Sequence, residues 1–560
     1  MDSFTPYFFI DNIQFNDSTN IDLNYNDIIV FVGANNSGKS ASLKEMYSKL
    51  ENIKNPTKII KEVRVKKNRP DDEIKKYITE NSIIEKSSFN NYKGYGYSFN
   101  EHSLDFALRS SDELNFLRSV FANFIGTEDR LVASNPPDNI DFIKNPYTHP
   151  IHFLYRDDTI EAEFSDYFKS AFNKELIVHR VAGNIIPLYI GEKPILNQGE
   201  DRVSTSYIEK LEKLDLLHEQ GDGMRSFVGV LLHSFIATQN ILFIDEPEAF
   251  LHPPQAKLLG KMLSNNLPSH KQLFLSTHSE DFLQGLLDSG HERLKIIRIN
   301  RVQNINYINH LENSNIKEIW SDSILRHSNI LSGLFHKKVV ICESDSDCRF
   351  YSAILSSITD NESIPSPDLL FIHCGGKHRI PVVVKSLQQL NVPTVVISDF
   401  DVLNNETPLK DIFLSLGGNW EAIKNDWKIV KDKIDEKRPE LLTEDVKKEI
   451  ISQLDLATDR IFPKEISNNI QSILKKASPW SEAKNNGISY IPNGDPTTFY
   501  NKIKEKFEEK GLFIVEVGEL ENFDKSIGNH GPKWVNEVLK KDLYNDSNLQ
   551  KARDFVKKII

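Results

Sequence analysis

Short apolar runs rich in β-branched residues alternate with longer stretches of mixed polarity along most of the chain. Residues 8–15 (FFIDNIQF) and 21–25 flank the polar turn NDST and read as paired strands. Residues 28–32 (IIVFV) contain no polar position, the pattern of a strand buried on both faces. A glycine-rich loop follows, then a helical stretch over 39–50. From 54 to 200 the pattern weakens into a basic strand-like patch at 60–69, a Tyr/Gly/Asn-rich turn region at 92–100, and helices over 105–125 and 162–171. Clear alternation resumes with a charged helix over 208–217, an apolar helix over 224–237, a strand at 241–244, an amphipathic helix and a strand at 272–276. Polar text over 304–328 reads as a boundary. Strands follow at 338–342, 368–373 and 394–398; charged helical text over 403–510 then interrupts a series that ends with a strand at 512–517. Strands alternating with helices predict α/β architecture with parallel sheets.

At 560 residues the chain is too long for one ordinary core, and two or three domains are expected. The pattern places one over 1–325, with a mostly helical insertion at about 54–200. A second covers 335–560, with a helical insertion at about 403–510. The net charge of −12 excludes a generally basic surface, so any nucleic-acid contact must be local. Local basic groups are Lys61, Arg64, Lys66, Lys67 and Arg69, and later Lys377, His378 and Arg379. The three cysteines, Cys342, Cys348 and Cys374, form no CxxC pair, which argues against a disulfide framework or a zinc site and for the reducing cytoplasm. No apolar run is long enough to span a bilayer, and the N-terminal residues, with Asp2 and Asp11 and no basic start, do not read as a signal peptide.

Gly33-Ala34-Asn35-Asn36-Ser37-Gly38-Lys39-Ser40 fits G-x-x-x-x-G-K-[ST] between a buried strand and a helix, the context a phosphate-binding loop requires. In such a loop backbone N–H groups surround phosphate oxygens, Lys39 reaches the β- and γ-phosphates of ATP, and the Ser40 hydroxyl ligates Mg²⁺. Asp245 ends the strand ILFI and can hold that Mg²⁺ through water, while Glu246 can orient and deprotonate the attacking water. His278 follows the next strand, where it can polarise the γ-phosphate. Loop, Asp-Glu strand and Thr-His-Ser strand, with EPEAFLHPPQ after the acids, resemble an ATP-binding-cassette ATPase of the SMC/RecF kind. That resemblance implies a signature loop at Gly221-Asp222-Gly223-Met224-Arg225, through which Gly221 and Gly223 contact the ATP of a partner subunit. Gly221 stands where the signature serine is usual.

The second half carries acids at strand ends: Glu343 after VVIC, with Asp347 four residues on, and Asp399-Phe400-Asp401 after TVVIS. Carboxylates at the C-terminal ends of parallel strands make a hard, oxygen-rich site suited to Mg²⁺ or Mn²⁺. Glu343, then Gly375-Gly376-Lys377, then Asp399-x-Asp401 resembles the TOPRIM domain of topoisomerases, primases and nucleases, with Ser344 in place of a usual glycine. With Gly518-Glu519-Leu520-Glu521 after the last strand and Lys533 near the end, the whole resembles the OLD (overcoming lysogenization defect) family, to which Gabija-type and retron-associated defence nucleases are related. The resemblance implies two metals held by Glu343, Asp347, Asp399, Asp401 and one of Glu519 and Glu521, with Lys533 assisting cleavage. It further implies an ATP-regulated DNA endonuclease in anti-phage defence. On that resemblance the substrate would be phage or plasmid DNA, the assembly a homodimer or dimer of dimers with the 54–200 insertion as a candidate dimerisation region, and the defence partner a helicase or a retron reverse transcriptase with its msDNA. Two other readings stay open: an ATP-driven DNA clamp or sensor whose TOPRIM site does not cut, and a toxin that cleaves RNA or tRNA.

Overall fold

The computed structural model describes residues 5–86, 90–109, 113–288, 292–311, 321, 329–437, 442–458, 461–475 and 478–560. The chain forms two compact units, Met1–Trp320 and Ser321–Ile560.

The first unit is built on β1 (Phe8–Phe15), β2 (Asn20–Asp22), β3 (Ile28–Val32), β4 (Ile60–Lys67), β5 (Ala122–Ile125), β6 (Ile241–Asp245), β7 (Gln272–Ser276), β8 (Leu294–Val302) and β9 (Ile305–Leu311). The central sheet has the order β9-β8-β3-β7-β6-β5; β3, β5, β6, β7 and β8 run parallel and β9 returns antiparallel on β8. Every residue of β3 is buried, as its unbroken apolar run demands. An antiparallel sheet, β2-β1-β4, lies over it, and Phe15, Phe31, Met46 and Phe274 share one core with both sheets. Gln272 ties the sheets together: its side chain accepts from Ile10 N at 2.9 Å and donates to Ile10 O at 2.8 Å and Asn24 O at 2.9 Å. A buried amide with its polar atoms paired in this way fixes register at little free-energy cost.

The segment over 54–200, expected to be mostly helical, mixes short helices with strands. Its strand β4 pairs with β1, and β5 pairs in parallel with the Asp245 strand from Ala122↔Ile241 to Ile125↔Ile244. The helix expected over 105–125 is broken into Glu101–Arg109 and the short turns Asn115–Leu117 and Arg118–Phe121, with Ala122–Ile125 in a strand; 110–112 lie outside the described residues. Long-range pairing with β6 overrides the local preference of Ala122–Ile125. The turn region at 92–100 is a hairpin, Asn91–Gly94 with Tyr97–Asn100. Of the polar text at 304–328, residues 305–311 form strand β9, with Ile305 and Tyr307 exposed and Ile308 and Leu311 buried; of the expected boundary, 312–320 and 322–328 lie outside the described residues, as does Asp2.

The second unit has a parallel sheet of β10 (Lys338–Cys342), β11 (Leu369–His373), β12 (Thr394–Ser398) and β13 (Leu512–Ile514) in the order β11-β10-β12-β13. Helices at Asp345–Glu362, Pro532–Val538 and Gln550–Ile559 pack on one face through Phe350, Tyr351, Trp534 and Phe555. The segment between β12 and β13 is helical, from Glu406–Ser415 to Asp495–Glu509. No helix among the described residues is long and apolar enough to cross a membrane.

Candidate functional sites in the two units

In the first unit the loops after β3, β6 and β7 leave neighbouring parallel strands at the same end of the sheet. The loop after β3 closes at Gly38, whose φ of 106° lies in the left-handed region and which caps helix α1 (Lys39–Glu51). A side chain at Gly33 would place a Cβ 2.2 Å from Ile299 O, and one at Gly38 would meet Ile59 Cδ1 at 2.5 Å. Lys39 is buried and its Nζ donates to Gly33 O at 2.8 Å and Ala34 O at 3.1 Å, folding the cation back across the loop. Ser37 Oγ is buried with no hydrogen-bond partner among the described residues. An orphaned buried hydroxyl in a glycine-rich loop that leads into a helix N-terminus suits a phosphate oxygen, and with Lys39 the donor set fits a nucleotide. Asn35 is exposed, Asn36 takes φ 60°, and Ser40 lies half-buried in the first turn of α1.

Asp245 stands opposite Ser276 in the β6–β7 register, and the Ser276 hydroxyl donates to its carboxylate. Glu246 leaves the strand at φ 50°, held by its N–H on Ser276 O at 3.0 Å, and its Oε1 lies 3.2 Å from His278 Nδ1. Asp245, Glu246 and His278 are thus brought together. Glu248, which the sequence reading passed over, sits beneath them. It accepts from Thr277 Oγ1 at 2.6 Å and His278 N at 3.3 Å, and burial raises its carboxyl above the ordinary range. Fully buried Arg130 donates to Asp245 O at 2.6 Å. The E-P-E spacing was the available signal for Glu248; nothing in the sequence marked Arg130, 115 positions from Asp245. A cavity of about 450 Å³ opens beside His278, lined by Glu248, Phe250, Ser279 and Glu280 among others. Gly221 and Gly223 lie at the start of helix α2 (Asp222–Leu231), where a Cβ on Gly223 would come 2.9 Å from Phe250 O. Arg225 fixes that turn by donating to Ser134 Oγ, Leu131 O and Asn135 Oδ1, each at 3.2 Å.

In the second unit Glu343 follows β10 and Asp399 follows β12, adjacent parallel strands. Glu343 Oε1 accepts from Ser398 Oγ at 2.5 Å and from Asp399 N at 3.2 Å, so the two strand ends are stitched at the site. Asp347 lies in the first turn of helix α3 (Asp345–Glu362), its Oδ2 accepting from Ser344 N at 2.8 Å and Ser344 Oγ at 3.0 Å. Burial pushes its carboxyl up to about 6, and Glu343 and Glu521 add repulsion. Burial first, and then Glu343, hold the Asp399 carboxyl well above the usual range, while Lys484 pulls the other way. Asp401 pairs with Lys377 at 3.2 Å. Glu519 and Glu521, left as alternatives by the sequence, come together with His530, their ligand atoms within 4.8 Å of one another. His530 Nδ1 is 2.8 Å from Glu521 Oε1, which also accepts from Gly531 N at 2.6 Å. Lys533 is exposed in the first turn of Pro532–Val538.

Lys484, from helix α4 (Pro479–Asn486), reaches this group from inside the helical segment. Its Nζ lies 3.3 Å from Glu519 Oε2 and 3.6 Å from Asp399 Oδ2. Burial opposes its charge, yet Asp399, Asp401 and Glu519 hold the ammonium above the ordinary lysine range. No sequence signal pointed to it. The carboxylates of Glu343, Asp347, Asp399, Asp401, Glu519 and Glu521 outnumber the cations around them. A half-buried excess of negative oxygen fits divalent metal ions. Cys342, Cys348 and Cys374 are buried free thiols behind the site.

The other basic groups proposed for nucleic acid are largely spent on internal pairs. Arg64 and Lys66 meet Asp11 at 2.8 and 2.9 Å, Lys67 meets Asp71, and Arg69 meets Glu73 at 3.7 Å.

Comparison with known proteins bears on both units. Residues 28–283 match the family model described as "AAA domain, putative AbiEii toxin, Type IV TA system", and residues 334–401 match "Overcoming lysogenization defect protein-like, TOPRIM domain". The Old nuclease of Escherichia phage P2 is 24% identical over 176 residues, and Endonuclease GajA of Bacillus cereus is 24% identical over 212 residues. These matches cover 30% and 32% of this chain, and 29% of each relative, so the chain spans less than a third of the length of either of these two relatives. Among solved structures, an Smc head bound to the C-winged helix domain of ScpA covers 55% of this chain and is covered over 99% of its own length, at 13% identity and a TM-score of 0.34. The chain therefore joins an ATPase domain of the AAA type to a TOPRIM domain of the overcoming-lysogenization-defect group.

Proposed function

We propose that the chain is an ATP-regulated, divalent-metal-dependent endonuclease that cleaves DNA. The observation that carries this reading is the convergence of Glu343, Asp399 and Asp401 with Glu519 and Glu521 at the ends of successive parallel strands. Metal ions held there, Mg²⁺ or Mn²⁺, supply a water of lowered pKa and stabilise the leaving oxygen of a phosphodiester. The protein residues fix the geometry. Ser398 and the Asp399 N–H aim Glu343 inward, the Ser344 cap fixes Asp347, and His530 and the Gly531 N–H fix Glu521. Lys377 beside Asp401 and Lys533 beyond Gly531 offer cations for the substrate backbone.

In the first unit the 33–40 loop holds ATP, with Lys39 on its phosphates and Ser40 and Asp245 on the Mg²⁺. Glu246 orients the attacking water, and His278, fixed between Glu246 and Glu248, senses the γ-phosphate. Gly221 and Gly223 at the start of α2 then contact the ATP of a second copy, so a homodimer or dimer of dimers is the working assembly. An anti-phage role, with a helicase or a retron reverse transcriptase as partner, is the part of this proposal that rests on the motif resemblance to the OLD family alone.

The test is cleavage of supercoiled plasmid in Mg²⁺ and in Mn²⁺, with and without ATP, beside an Asp399→Ala/Asp401→Ala variant. Nicking that requires metal and disappears in the variant supports the nuclease, and the ATP lanes give the sign of regulation. Intact ATP hydrolysis with no cutting of DNA in any lane overturns it in favour of a clamp; cutting of RNA alone overturns the choice of substrate.

A further inference from the structure

We propose that Lys484 is a built-in cation of the nuclease centre, placed to hold a non-bridging oxygen of the scissile phosphate while balancing the carboxylates of Asp399 and Glu519. This inference rests on the nuclease reading above.

Three observations carry it. First, Lys484 is the cation shared by the two acidic groups, at 3.6 Å from Asp399 and 3.3 Å from Glu519. Both distances exceed the roughly 2.7–2.9 Å of a tight charge-assisted hydrogen bond. The ammonium is therefore suspended between two carboxylates rather than seated on one. With three donors and a side chain 35% exposed, it retains capacity for an incoming anion. A phosphate oxygen is the anion a metal-carboxylate centre of this kind draws in.

Second, the backbone that carries Lys484 is seated on the loop that carries Glu519. Asn522 Nδ2 donates to Lys484 O at 2.9 Å, Lys525 Nζ donates to Asn485 O at 2.8 Å, and Ile488 N donates to Glu516 O at 2.9 Å. The approach is so close that a Cβ on Gly518 would lie 1.9 Å from Lys484 O, and one on Gly487 would lie 2.0 Å from Glu516 O. A lysine that served only as a surface charge would need none of this.

Third, Lys484 comes from the helical segment between β12 and β13, which has otherwise no group in the centre among the described residues. That segment thereby becomes part of the catalytic machinery, and its docking onto the 516–522 loop completes the site.

A bridging cation of this kind makes two opposite predictions that a purely structural residue does not. Removing a positive charge that lies 3.6 Å from Asp399 Oδ2 and 3.3 Å from Glu519 Oε2 would strengthen the binding of a divalent ion by those carboxylates, by roughly tenfold for a solvent-screened site. Removing the phosphate contact slows cleavage. Lys484→Met is therefore expected to bind Mn²⁺ about tenfold more tightly than the parent, read by calorimetry or Mn²⁺ electron paramagnetic resonance on the full chain without nucleotide. Its plasmid cleavage at saturating Mn²⁺ is expected to fall at least tenfold. Lys484→Arg should restore the parent's Mn²⁺ affinity and part of the cleavage, and Lys540→Met, which removes an exposed lysine paired with Glu537, should change neither.

Weaker Mn²⁺ binding together with slower cleavage in Lys484→Met makes Lys484 a structural clamp and overturns the inference, as does cleavage at the parent's rate. If Asp399→Ala/Asp401→Ala binds Mn²⁺ as the parent does, the metal-site reading itself fails, separately from the role of Lys484.

Discussion

Gly518→Ala is the substitution on which the architecture of the nuclease centre depends most directly. Gly518 has φ +110°, where an L-residue is strained by about 1–3 kcal/mol. The added Cβ would lie 1.9 Å from Lys484 O and 3.0 Å from Asn522 Nδ2. The first contact is to backbone and cannot be relieved by turning a side chain, so the α4 helix and the 516–522 loop must part by about 1 Å. That separation also weakens the Asn522–Lys484 hydrogen bond, a further loss of about 1 kcal/mol. The expected destabilisation is thus about 2–4 kcal/mol in the second unit, read by chemical denaturation. A shift of about 1 Å between Lys484 and Glu519 predicts about a hundredfold loss of plasmid cleavage. ATP hydrolysis by the first unit should stay within twofold of the parent. Gly528→Ala is the matched control, since a Cβ there meets nothing within 4 Å. Cleavage by Gly518→Ala at the parent's rate, or equal loss of ATP hydrolysis, would refute the reasoning.

Glu246→Gln should retain ATP binding, measured by equilibrium titration, and lose at least about a hundredfold in hydrolysis, because the amide cannot take the water's proton. Loss of binding as well would mean that Glu246 at φ 50° supports the fold of the loop instead. Asp347→Asn tests the charge balance of the second site. The Asp347 carboxyl is raised from 3.8 to about 6, so the folded chain holds its proton more tightly than the unfolded chain does. Stability is then lost as pH rises from about 4 to about 6. In EDTA above pH 6 the Asn variant should be more stable than the parent by about 2–3 kcal/mol, read by denaturant melts. An unchanged or lower stability of the Asn variant in EDTA would contradict the strained-carboxylate reading.

The sequence by itself determined the strand–loop–helix elements and most of the acids. Ile28–Val32, Thr394–Ser398 and the 33–40 loop were legible because each depends on local rules: unbroken β-branched burial, and glycines where the backbone must turn around a phosphate. Glu343, Asp399 and Asp245 were legible because parallel strands end where ligands gather. Only the tertiary structure decided the rest. Ala122–Ile125 is a strand because Ile241–Asp245 offers it an edge, a contact that no window of local sequence contains. Glu519, Glu521 and His530 meet because the chain folds back after β13. Lys484 enters the site from 85 positions beyond Asp399, along a helix whose own pattern is that of a solvated surface. Local periodicity reports which face of an element is buried, whereas the partner of a charged group is set by where distant elements dock, and that is fixed only by packing the whole unit.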